Sequence, residues 1–311
     1  MRADDDPERE ASRLDRVRVR RGFERAAATY DAAAVLQHEI GQRMAERLAL
    51  VRLRPGTILD AGCGTGDAIA ELSTRFPDAS IVGVDFAASM LEAARRRVAP
   101  APPGRSILGR WLGGPSHAPG SATLVCADAC GLPFAAGRFD LVWSNLVLQW
   151  INEAPRVFSE FRRVLRVGGL LMFTTFGPDT LLELRSAFAG VDRATHVHRF
   201  VDMHDLGDML VHAGFAEPVM DMERITLTYS DAGALMRDLK RTGARNASVG
   251  RPRGLTGRGR WQRMLAGIER FRRDGRLPAT FEVVYGHAWK PEPRTSEDGR
   301  TIVRFRSRPE R

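Results

Sequence analysis

The sequence predicts an α/β fold built on a largely parallel sheet. Two observations carry this reading: five short apolar, β-rich runs at 57–61, 80–84, 122–126, 139–144 and 168–175, and helical patterns around 66–75, 88–98 and 153–166 between most of them. Strands that alternate with helices read as parallel strands joined by crossover helices. A chain of 311 residues can bury a sizeable core in one large domain with extensions.

Taken in order, residues 1–20 are charged and poorly patterned, which predicts a disordered tail. A helical pattern runs from about Phe23 to Leu50, with Leu36, Ile40, Met44 and Leu48 at spacings of four. The stretch 100–121 is rich in Pro, Gly and Ser, and because a strand pattern resumes directly after it, it reads as a surface insertion. Beyond the fifth strand, VMDMERITLTY (219–229) and TFEVVYGHAW (280–289) alternate as strands. The residues between them, 230–279, contain the helix-like WQRMLAGIERF and predict a small basic subdomain over the sheet edge. The main domain is thus expected over 21–290, with a charged tail at 291–311.

The formal net charge is +9, but residues 1–240 carry 29 basic and 31 acidic side chains while 241–279 carry 11 basic and 2 acidic. The excess therefore belongs to one segment, and nearly all of it is arginine, since only Lys240 and Lys290 are lysines. No run reaches the ~18 apolar residues of a membrane span, and MRADDDPERE lacks the apolar centre of a signal peptide, so a soluble cytoplasmic protein without membrane partners is expected. Cys63, Cys126 and Cys130 have no partners at zinc spacing and read as free thiols. His196, His198, His204 and His287 fall on different elements without ligand spacing, so no metal is expected.

The stretch ILDAGCGTGDA (58–68) places Gly62, Gly64 and Gly66 after the first strand, with Asp60 before them. A dinucleotide fingerprint requires GxGxxG, and Asp67 stands where its third glycine should be. A triphosphate loop fails as well, since no lysine follows and Asp67 would repel phosphate at a helix N-terminus. An acidic residue beside the loop suits a ligand with positive charge, such as the amino group of a methionine moiety, and the glycines let the backbone approach it closely. Asp85 ends the next strand, where a carboxylate can accept both hydroxyls of a ribose. Asp128, after the third strand, is placed to accept from an adenine amino group, with Met90 a candidate for packing on the ring.

This ordered set resembles the class I S-adenosylmethionine-dependent methyltransferases through LDAGCGTG, GVDFAASML, CADACGLPFAAGRFDLVWSNLVLQW and LRVGGLLMFTTF, over residues 57–176. The resemblance implies a Rossmann-like fold: a seven-stranded, mostly parallel sheet with an antiparallel last strand, helices on both faces, and S-adenosylmethionine as cofactor. Ala129 and Asn145 join the expected cofactor contacts. Tyr30 and Gln37, on the N-terminal helix, are expected to form a lid over its methionine end. Methyltransferases acting on nucleobases or glutamine amides have an Asn/Asp-Pro-Pro-aromatic motif after the fourth strand; here that place reads SNLVLQW, so no nucleic-acid partner is expected.

The flanks FERAAATYDAAAVLQHEI, FTTFGPDTLLELRSAF, HVHRFVDMHDLGDML, LKRTGARNASVGRPRGLTG and TFEVVYGHAWKP resemble the malonyl-acyl-carrier-protein O-methyltransferases of biotin synthesis, over about residues 16–291. This implies methylation of the free carboxylate of a malonyl thioester. A carboxylate is already a nucleophile at neutral pH, so no residue of acid/base type is expected to carry catalysis. Arg245 is the first choice for a bidentate clamp on that carboxylate, with Trp150 and Tyr285 as further substrate contacts. The basic segment 241–276 suits an acidic acyl carrier protein, though coenzyme A phosphates would be attracted too. Two alternatives remain at this point: an arginine-hydroxylating respiratory complex I assembly factor of similar sequence, and a non-catalytic S-adenosylmethionine-binding protein, the latter disfavoured by intact Asp60, Gly62, Gly64 and Asp85.

Overall fold

A computed structural model of the chain describes residues 7–98, 122–252, 254 and 256–293. The insertion expected at 100–121 and all but the start of the tail expected at 291–311 lie outside them. The described strands are β1 Thr57–Ala61, β2 Ser80–Asp85, β3 Ala122–Cys126, β4 Phe139–Ser144, β5 Leu165–Phe176, β6 Ala216–Tyr229 and β7 Leu277–Trp289. They form a seven-stranded sheet in the order β3-β2-β1-β4-β5-β7-β6. β1 to β5 are parallel, and β7 runs antiparallel to both β5 and β6. The Rossmann-like methyltransferase topology expected from the sequence is the one observed.

Helices cover both faces because both faces of each central strand are apolar. The described helices are α1 Pro7–Ser12, α2 Arg16–Ala26, α3 Val35–Ala49, α4 Asp67–Arg75, α5 Ala88–Arg97, α6 Ala154–Val164, α7 Leu182–Ala189, α8 Met203–His212, α9 Ala232–Arg241 and α10 Arg258–Glu269. Side chains alternate along a strand, so neighbours enter different cores. Ile58, Trp143 and Met172 join Ile40 and Met44 of α3, Leu184 of α7 and Met264 of α10. Leu59, Val142 and Phe173 pack with Phe158 and Phe161 of α6 and Leu210 of α8. Helices α9 and α10 lie between β6 and β7 in sequence, and Gly267 lets α10 meet α7 closely: a Cβ there would stand 3.2 Å from Ala187 Cα.

The N-terminal region differs from expectation in two ways. Residues 7–12 and 16–26 are helical, where a disordered tail was expected to 20. The reason is tertiary: Asn152 accepts from Leu14 N (2.7 Å) and donates to Leu14 O (2.9 Å), and Asp15 N donates to Ala247 O (2.8 Å). In addition, the helical pattern read from Phe23 to Leu50 is two helices, α2 and α3, broken over 27–34. Thr29 in that break donates to Arg241 O at 3.2 Å, a contact that an unbroken helix would not make.

Candidate active site

Strand order reverses between β1 and β4, which opens a crevice beyond the C-terminal ends of the parallel strands. Gly62 and Gly64 follow β1, Asp85 ends β2, Asp128 and Ala129 follow β3, and Asn145 follows β4; all line one cleft, roofed by Arg16, Val19 and Phe23 of α2. Gly62 has φ +84°, and a Cβ there would fall 2.1 Å from Val147 Cγ2, so only glycine fits. At Gly64 the same direction is open, with no atom within 4 Å, so a ligand can lie against bare backbone.

Carboxylates dominate the cleft and an adjoining pocket that holds Asp60 and Gln37; the two share Tyr30, Gly62, Gly64 and Asn145. Asp60 is 1% exposed, and its Oδ2 has no hydrogen-bond partner among the described residues. Burial, reinforced by the Asp85 and Asp67 carboxylates, pushes its carboxyl up to about 8. Asp85 accepts from Gly64 N (3.1 Å) and Ala87 N (2.8 Å), which offsets part of its burial, and its carboxyl rises to about 6. Burial and the same acidic neighbours push the Tyr30 phenol far above its usual range. Tyr30 and Met90 pack in one cluster with Ala26 and Ala87 on the cleft wall. Next to Tyr30, Asp31 accepts from Thr65 of the glycine loop and, at 2.7 Å, from Arg97, which ties the break between α2 and α3 to that loop. Asp128 accepts from Cys130 N at 2.9 Å and is ion-paired with Arg16, so α2 is anchored at the expected adenine end. Asn145 donates to Gln37 O (3.0 Å) and accepts from Thr174 (2.6 Å); the Gln37 side-chain oxygen is buried without a partner among the described residues.

A second cavity, of about 360 Å³, lies between β5, the loop after it, α9 and the 242–246 loop. Its lining is mostly apolar, including Leu36, Phe176, Leu181, Phe200 and Phe281, with Lys240 and Arg245 supplying positive charge and Asp238, which accepts from Tyr229 OH at 2.8 Å, one carboxylate. Trp150 lines this cavity and the first cleft alike, held edge-on between Phe23 (5.2 Å) and His198 (5.2 Å). Arg245 is exposed and has no acidic partner among the described residues.

Tyr285 is the one expected substrate contact that lies elsewhere. It pairs with Thr174 deep in the sheet, and the Arg47 guanidinium of α3 sits 3.7 Å over its ring. Phe281, four residues earlier on the same face of β7, is the residue of that strand that lines the cavity. Among the described residues no group of three or more His, Cys, Asp or Glu is arranged as metal donors, and no helix is long and apolar enough to cross a membrane.

Several wall residues carried no individual signal in the sequence. Gln149, on the wall of the second cavity, donates to Leu146 O (2.7 Å) and accepts from Thr175 (3.2 Å). Glu282 accepts from Asp179 N at 2.7 Å and sits so close to Gly177 that a Cβ there would fall 2.5 Å from its carboxylate. This is the physical content of the FTTFGPDT motif: it stitches the loop after β5 to β7 and fixes the cavity floor.

A family model described as a methyltransferase domain matches residues 59–173. The malonyl-[acyl-carrier protein] O-methyltransferase of Laribacter hongkongensis is 56% identical over 299 residues, covering 95% of this chain and 97% of the relative. The protein of the same name from Gallionella capsiferriformans is 51% identical over 291 residues, covering 94% and 96%. Among solved structures, the YcgJ protein from Bacillus subtilis matches the fold with TM-score 0.54 at 14% identity, covering 80% of this chain and 98% of that one. Nothing in these comparisons supports the assembly-factor or non-catalytic alternatives.

Proposed function

Since the chain belongs to the malonyl-[acyl-carrier protein] O-methyltransferase family of class I S-adenosylmethionine-dependent methyltransferases, we propose that it esterifies the free carboxylate of a malonyl group on acyl carrier protein, in the cytoplasm, as a step of biotin synthesis. The observation that carries this reading is the partition at Trp150, with an acidic cleft on one side and an apolar, cation-fringed cavity on the other. Esterification removes a charge, which lets an apolar elongation site accept a group it would otherwise reject, because burying a carboxylate is costly.

The residues of the cleft fit the cofactor. Asp60 has an orphaned buried oxygen for a cationic amino group, Asp85 a carboxylate for the ribose, and Gly64 an open face for close approach. When bound, S-adenosylmethionine supplies a methyl group activated on a cationic sulfonium. The chain's own contribution is alignment and exclusion of water: Trp150 stands between the compartments with Gln149 beside it on the acceptor side, and Arg245 receives the malonyl carboxylate. A carboxylate of ordinary pKa, about 4, is ionised at neutral pH, so no residue has to remove a proton.

The raised carboxyls predict a pH dependence. Without ligand, Asp85 holds its proton up to about 6 whereas the unfolded chain releases it near 3.8, so the stability linked to this group is full below 3.8 and is lost as pH rises through 6. Binding through an ionised Asp85 has the opposite sign. Cofactor affinity measured by calorimetry is expected to rise at least about tenfold from pH 5 to pH 7 through Asp85, and to go on rising towards pH 8 as Asp60 ionises. A flat profile would remove Asp85 from the ionised contacts.

Carrier docking is proposed for the 241–276 segment. Arg258, Arg260, Arg263, Arg270, Arg273 and Arg276 are exposed, and Trp261 of α10 also lines the acceptor cavity. An acidic carrier steered to this face would bring its malonyl arm to the cavity mouth. Turnover on malonyl carrier protein should therefore fall steeply from ~50 to ~500 mM salt while cofactor affinity barely moves; an equal response of both would remove the steering role. The acceptor itself is tested by label transfer from S-adenosylmethionine to malonyl and acetyl carrier proteins. Labelling of the malonyl form alone is expected, and equal labelling of both would contradict a carboxylate acceptor.

A further inference from the structure

One polar side chain in the acceptor cavity has only half of its hydrogen bonding satisfied. His198 is 7% exposed and lines the cavity beside Trp150 and Arg245. Its Nε2 accepts from Ala247 N at 3.0 Å, so that nitrogen carries no proton and Nδ1 must carry the one proton of a neutral ring. Burial drives the imidazole down to about 4, which keeps it neutral. Trp150 holds the ring edge-on, and Nδ1 has no hydrogen-bond acceptor among the described residues. The ring lines the cavity, and an N–H there without an acceptor from the protein is free to donate to an acceptor atom brought by a ligand.

We propose that His198 is the second donor of the acceptor site, its Nδ1–H hydrogen-bonding an oxygen of the malonyl carboxylate opposite Arg245. The proposal rests on the malonyl reading above. One cation and one neutral donor suit a carboxylate that must attack: a second cation would draw charge from the nucleophile, whereas a neutral N–H orients it and displaces water. The residue that sets the tautomer is also strapped to the cofactor roof. Ala247 O accepts from Asp15 N at 2.8 Å, and Asp15 caps α2, whose Val19 and Phe23 line the cofactor cleft.

The test is steady-state kinetics on malonyl carrier protein at saturating cofactor, with cofactor affinity and thermal midpoint measured in parallel. His198→Phe keeps an aromatic ring beside Trp150 and loses both hydrogen bonds. His198→Gln can accept from Ala247 N and donate into the cavity. For His198→Phe, KM for the malonyl carrier should rise about tenfold or more, as for a lost hydrogen bond to a charged group, with cofactor affinity within about twofold of wild type. His198→Gln should recover KM to within about threefold of wild type. A His198→Phe enzyme that matches wild type in KM and kcat overturns the proposal. So does equal impairment of both variants with a parallel loss of cofactor affinity, which is the mark of a structural role. A wild type that leaves malonyl carrier protein unmethylated overturns the acceptor reading itself, a result distinguishable from either.

Discussion

Asp85→Ala is expected to weaken S-adenosylmethionine binding about 100-fold or more, because it removes two charge-assisted hydrogen bonds to the ribose, each worth about 1.5–3 kcal/mol. The effect should fall on the ligand and leave the fold standing. In the free protein the Asp85 carboxyl is strained by burial, and its removal relieves that strain while leaving Gly64 N and Ala87 N without their acceptor. The two changes oppose each other, so the thermal midpoint should shift little. Calorimetric titration and a thermal melt on the same preparation check both halves; unchanged cofactor affinity would overturn the role given to Asp85.

Arg245→Lys should impair methylation strongly despite conserving charge. The loop that carries Arg245 is held by the turn in which Arg245 N donates to Gly243 O at 2.7 Å, and its guanidinium is free of acidic partners among the described residues. A planar fork can grip both carboxylate oxygens, whereas an ammonium offers a point charge on a looser stem. The expected outcome is a rise of about tenfold or more in KM for malonyl carrier protein, with cofactor affinity unchanged. Single-turnover methylation at saturating cofactor decides the matter: a variant equal to wild type in rate and acceptor affinity would mean that another arginine holds the carboxylate.

The cofactor half of the site was legible in the sequence because its signals are local. A glycine required by positive φ, as at Gly62, and a carboxylate at a strand end, as at Asp85, are written within a few residues of the strand that positions them. The acceptor half is assembled from β5, the following loop, the 196–200 segment, α9 and β7, and no local pattern reports how far along β7 the cavity begins. Tyr285 lies outside the cavity lining for this reason: Phe281 and Tyr285 share a face, but only Phe281 stands at the cavity. The N-terminal helices were hidden for a related reason. Their charged, weakly patterned sequence carries little propensity of its own, and Asn152, Ala247 and Asp128 hold them from more than a hundred residues away. In the sequence His198 is one of four histidines without ligand spacing, and only the backbone of Ala247 fixes its tautomer.

The most direct test of the account is tandem mass spectrometry of malonyl carrier protein after incubation with the enzyme and unlabelled S-adenosylmethionine. The carrier should gain a single methyl group, and fragmentation should eject it with the prosthetic arm, as a malonyl methyl ester. A methyl group found on the carrier polypeptide, or an unmodified malonyl arm from an enzyme shown to bind the cofactor, would contradict it.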